Sequence, residues 1–182
     1  MNTLLDIVGS TIIAGIVFLL LVNLNTASTS AKFSSDTGLV LQQNAETLAQ
    51  ILDNDLRKIG YKYNGTAIIK AEPKLISYYA DIDTNGVMDK VTLTIGDSTE
   101  VTSTPNPHDK ILYRTVDGVT YKGPSLNLTN LKFTYMNELG RITTVLDSIK
   151  YIKAEIWLQS PEKVDSTYLP TYWEITIHPR NI

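Results

Sequence analysis

The order of hydrophobic and polar positions divides the chain into three stretches. From Ile7 to Val22 the run IVGSTIIAGIVFLLLV is apolar all round, interrupted only by small Gly, Ser and Thr residues. Counted as helix from Thr3 to Leu24, it reaches roughly 33 Å, enough to cross a bilayer. NTASTSAKFSSDTG follows; its serines and threonines offer the backbone competing hydrogen bonds and predict a local melt or flexible joint. Then Leu41, Ala45, Leu48, Leu52, Leu56 and Ile59 recur at three and four residues, with Gln42, Glu46, Asp53 and Arg57 between them. That spacing predicts an amphipathic helix with one face for a core, Gly60 as its C-cap, and Arg57 and Lys58 suited to the dipole at its end.

Beyond Gly60 the segments TAIIK, LISYYADI, KVTLTIG, KILYRTV, VTYKG, LNLTNLKFTYM, IKYIKAEIWLQ and TYWEITIH are rich in β-branched and aromatic residues, and several alternate in polarity. Asn-Gly at Asn64 and Asn85, Asp-Gly at Asp117, and Pro105, Pro107 and Pro124 punctuate them. The expected fold class is α+β: a long N-terminal helix packed on an antiparallel β-sheet. Residues 1–31 form the apolar helix, 32–60 the amphipathic helix and 61–182 the β head.

Composition sharpens this division. Asp6 is the only charged residue before Lys32 in a chain of 182 residues with formal net charge −3. No basic cluster is denser than Arg57, Lys58 and Lys62, so a nucleic-acid footprint is missing. Cysteine is absent, which excludes disulfides and thiolate metal sites. A cleaved secretory signal fits poorly, because the apolar run is long and no basic stretch precedes it.

Asp6 is the residue that a plain membrane anchor leaves unexplained, since a carboxylate near hydrocarbon is costly. Gly9, Ser10, Ala14 and Gly15 place small residues a turn apart, a pattern that lets apolar helices approach closely. NTLLDIVGSTIIAG resembles the amino-terminal segment of type IV pilins and type II secretion pseudopilins. The resemblance implies that Asp6 stands where that family has a glutamate at its fifth mature residue, paired with the amino terminus of a neighbouring subunit. Met1 would then belong to the assembly region as well. Counted from Met1 the acid is sixth, and aspartate is one methylene shorter. Family precursors carry a basic leader cut after glycine; with Met1 as first residue, the chain is expected to be mature or to use another route. ILDNDLRKIGY, and the pairing of LTNLKFTYMNELGR with IKYIKAEIWLQ, resemble the head of larger minor pilins and J-type pseudopilins.

The sharpest local constellation is DIDTNGVMD. Asp81, Asp83 and Asn85 alternate, Gly86 permits a sharp turn, the Val87 carbonyl is a further donor, and Asp89 holds the ninth place, as in a calcium loop. The twelfth place is Thr92 rather than glutamate, and the flanks read as strands. Two readings stand: a calcium site, weak or completed elsewhere, and a plain hairpin turning at TNG.

No catalytic constellation is read. His108 and His178 lie in a loop and beside Pro179, with no nucleophile motif near either. The sequons at Asn64 and Asn127 are turn residues unless the organism glycosylates its surface proteins, and the tyrosines are expected to pack the sheets. Given the resemblance, the expected function is that of a structural subunit of a type IV pilus-like extracellular filament, mechanical or adhesive. Its partners would be copies of itself, the inner membrane before assembly and the assembly machinery. The alternatives are a minor pseudopilin of a secretion system and a single-pass membrane-anchored β-domain that binds a ligand.

Overall fold

In the computed structural model of the chain, residues 3–164 and 166–182 are described. The chain divides into two compact units, Met1–Thr37 and Gly38–Ile182. Helix α1 spans Thr3–Leu56. The expected melt is therefore overturned: NTASTSAKFSSDTG is helical throughout. Two of its hydroxyls turn back onto their own helix instead of competing with it. Thr26 Oγ1 donates to the Val22 carbonyl at 3.0 Å and Thr29 Oγ1 to that of Asn25 at 2.9 Å. With strong helical segments on both sides, this stretch propagates a helix and need not nucleate one.

The second unit holds the end of α1 and eight strands. β1 (Ile68–Glu72), β2 (Leu75–Ala80), β3 (Asp89–Ile95), β4 (Leu112–Val116) and β5 (Val119–Lys122) form one sheet in sequence order. β6 (Leu128–Met136), β7 (Tyr151–Val164) and β8 (Thr167–Ile177) form a second. Every neighbouring pair is antiparallel. The α+β class holds, but there are two sheets where one was expected. The break falls where Leu126 and Asn127 take left-handed φ of 46° and 62° just after Pro124, turning the chain out of the first ladder. Asp117 and Gly118, with φ of 47° and 85°, make the tight turn between β4 and β5, where Val116 pairs with Val119.

The five periodic positions within α1, from Leu41 to Leu56, and Ile59 just beyond its end form the core face, each at most 1% exposed. They share one apolar cluster with Ile76, Tyr78 and Leu93 of the first sheet and Leu131, Phe133 and Ile156 of the second. Polar contacts fix the helix end over this core. Arg114 on β4 donates from Nε to Asp55 Oδ2 at 3.0 Å, and the Tyr78 hydroxyl on β2 donates to the Asp55 carbonyl at 3.0 Å.

α1 stops at Leu56, four residues short of the glycine expected to cap it. Its last turn tightens, with the Ile59 amide reaching only to the Leu56 carbonyl. Gly60 is left-handed at φ +74°, and its amide donates to the Tyr79 carbonyl at 2.9 Å, so the segment after the helix runs beside β2. A Cβ at Gly60 would stand 2.6 Å from the Asn181 carbonyl oxygen, a contact that admits no side chain.

Candidate functional site

Two places carry the candidate residues. The first is the start of α1. Ile7, Ile12, Ile13, Ile16, Phe18, Leu19, Leu20 and Leu21 are all more than half exposed, and they lie on every side of the helix. This segment is long and apolar enough to cross a membrane, and none of it is buried within the chain. At 3.6 residues per turn, Asp6, Ser10 and Ala14 fall on one stripe with Gly9 beside it, whereas Gly15 lies on the face opposite Asp6. Ser10 Oγ donates to the Ile7 carbonyl at 2.9 Å, so its hydroxyl is satisfied within the helix. A Cβ added at Gly9 or Gly15 would meet nothing within 4 Å. Asp6 is exposed. Met1, the remaining assembly residue, lies outside the described residues.

The second place is the loop between β2 and β3. The last ladder pair is Ala80 with Asp89, so the connection runs from Asp81 to Met88 and is not a two-residue turn at Asn-Gly. Thr84 and Gly86 are left-handed, at φ 64° and 86°. The loop folds inward onto its own acids. Asp81, 1% exposed, receives the Gly86 amide and the Lys62 ammonium on Oδ2, each at 3.1 Å. Its Oδ1 is buried with no hydrogen-bond partner among the described residues. Asp83 accepts from the Asn85 amide at 3.1 Å and from Asn85 Nδ2 at 2.7 Å, and Asp89 Oδ2 accepts from the Ile82 amide at 2.9 Å.

One carboxylate oxygen from each of Asp81, Asp83 and Asp89 lies within 4.8 Å of the others. Asn85 is tied to Asp83, and its Oδ1 takes the Val87 amide at 2.6 Å; Val87 thus enters the loop through its N–H, the residue being 65% exposed. Thr92 faces away, donating to Ser77 Oγ at 2.9 Å across the β2–β3 ladder. Burial pushes the Asp81 carboxyl up, but the Lys62 ammonium and the Gly86 amide outweigh it and hold the group below the usual carboxylate range.

Lys62 is the member of this cluster that sequence reasoning missed. It lies nineteen residues before Asp81, and only the path of the chain after α1, with the Asp81 amide donating to the Tyr61 carbonyl at 3.1 Å, brings it there. Elsewhere, His108 and His178 are exposed; His108 Nδ1 is 3.0 Å from Gln159 Oε1, and His178 packs on Tyr151 with ring centres 5.0 Å apart. Asn127, the second sequon residue, sits in a left-handed turn and accepts from Asn44 Nδ2 at 2.8 Å.

In comparisons with known proteins, no family model, no curated protein and no solved structure matches this chain. What the fold defines on its own terms is an α+β protein whose N-terminal helix begins with an uncovered apolar segment.

Proposed function

We propose that this protein is the structural subunit of a type IV pilus-like extracellular filament. The first part of α1 sits in the inner membrane before assembly and then packs against copies of itself. The observation that carries this reading is the contrast within one helix. From Leu41 onward α1 buries a single stripe, whereas before Leu24 it is apolar and uncovered on every side. An all-round apolar surface is covered by lipid or by several neighbouring helices. Small residues on two faces, with Gly9 and Ala14 near Asp6 and Gly15 opposite, suit more than one neighbour. Asp6 then pairs with a neighbour's amino terminus and sets the register.

The test is Asp6→Ala, read as filament yield in the sheared surface fraction by electron microscopy and mass spectrometry. Losing one partner of a desolvated pair should cut the yield at least about tenfold while the second unit stays folded. Undiminished yield would refute the role of Asp6. A wild-type chain that stays monomeric in detergent and forms no filament would refute the reading as a whole, and leave a membrane-anchored binding domain in its place.

A further inference from the structure

The β2–β3 loop has an excess of negative charge with too few partners to balance it. Asp81, Asp83 and Asp89 bring three carboxylates within 4.8 Å of one another, and one ammonium, that of Lys62, reaches the group. Two negative charges remain uncompensated. Asp81 makes the imbalance acute because its side chain is fully buried, yet only Oδ2 is engaged; Oδ1 has no water access and no hydrogen-bond donor among the described residues. A buried carboxylate oxygen left in that state costs free energy, and a native site answers the cost with a donor, a cation or a bound proton.

Among the described residues no donor makes a hydrogen bond to that oxygen; the Thr84 amide lies near enough only to add the weakest of the pulls on the Asp81 carboxyl. The loop amides of Ile82, Asn85, Gly86 and Val87 are already committed, to Asp89, Asp83, Asp81 and Asn85 respectively. We propose that the loop Asp81–Asp89 binds one divalent cation of the calcium type, with Asp81 Oδ1, Asp83 and Asp89 as its carboxylate ligands.

The donor set is oxygen only, with no histidine or cysteine, which suits a hard cation and not zinc or copper. Calcium fits better than magnesium. Ligands here come from an irregular loop and a strand end, and calcium tolerates uneven coordination with water filling the remainder, whereas magnesium demands near-ideal octahedral geometry. Thr92 turns into the sheet, so the bidentate twelfth ligand of a helix–loop–helix calcium site has no counterpart. The expected dissociation constant is therefore on the order of 0.1–1 mM, the range of extracellular modules. The cation joins the loop to the segment after α1, because Asp81 holds that segment through Lys62 and through the hydrogen bond its backbone N–H donates to the Tyr61 carbonyl.

The experiment is thermal unfolding of the full chain in detergent, stripped with a chelator and then titrated with calcium chloride, magnesium chloride, or sodium chloride at matched ionic strength. Calcium at about 10 mM should raise the melting temperature by about 5 °C, more than magnesium does and well beyond the sodium control. Asp81 is buried and ion-paired, so its substitution also perturbs the fold, and the decisive variant is the exposed Asp83→Asn. It removes one of the uncompensated charges, so its metal-free melting temperature should be no lower than that of wild type, and it should lose most of the calcium shift. A wild-type shift no larger than the sodium control, or a calcium shift that survives intact in Asp83→Asn, would overturn the site.

Discussion

Asp109 and Asp81 are both buried, and the fold treats them in opposite ways. Asp109 is 0% exposed, and neither of its carboxylate oxygens has a hydrogen-bond partner among the described residues. Burial pushes its carboxyl above the usual range, against weaker pulls from Thr104 and His108. The folded chain thus holds this proton at a pH where the unfolded chain has released it. Stability from the protonated group is fully present below the ordinary carboxylate value and is lost as pH rises through the folded one. Asp109→Asn should therefore unfold at a higher temperature than wild type at neutral pH, with the difference closing on acidification; a gap that widens as pH falls would refute the assignment. Neither Asp109 nor Lys62 stood out in the sequence, because their environments come from segments distant along the chain. Asp81, Asp83 and Asp89 did, because a loop that crowds oxygen donors is written in consecutive residues.

Among the elements, those with strong local periodicity were the most legible. Leu41, Ala45, Leu48, Leu52, Leu56 and Ile59 were set apart by spacing alone, and all six are in the core. Leu48→Ala should cost about 3 kcal/mol and lower the melting temperature by roughly 9 °C, as read by thermal unfolding of the full chain in detergent. An unchanged melting temperature would mean that this face contributes little packing. The misreadings occurred where a local rule met a non-local partner. LISYYADI reads as one strand through Ile82, but β2 stops at Ala80, since the Asp81 and Ile82 amides leave the ladder for the Tyr61 carbonyl and Asp89 Oδ2. Asn85-Gly86 favours a two-residue turn by propensity, and the acids around it draw the chain into a longer loop. The division into two sheets depends on which strands become neighbours, and no single segment encodes that.

The whole molecule joins a self-sufficient unit to a segment that is not. Gly38–Ile182 has a closed core, so its stability should be indifferent to changes before Leu24; those changes report on whatever covers the apolar helix. Gly15 is the sharpest probe, because a Cβ there meets nothing within 4 Å among the described residues and the position lies opposite Asp6. Gly15→Leu should leave the melting temperature of the second unit within about 1 °C of wild type, since an exposed helical Gly→Leu change is neutral or slightly favourable for the helix itself. If α1 packs against neighbours on both faces, the added side chain blocks the close approach there and filament yield falls, by roughly five- to 150-fold for an overpacking cost of 1–3 kcal/mol. Read beside Asp6→Ala, the result separates two kinds of assembly. Loss in both variants means a helix enclosed by neighbours, as in a filament core. Loss in Asp6→Ala alone means a one-sided contact, and for that the small residues beside Asp6 are sufficient.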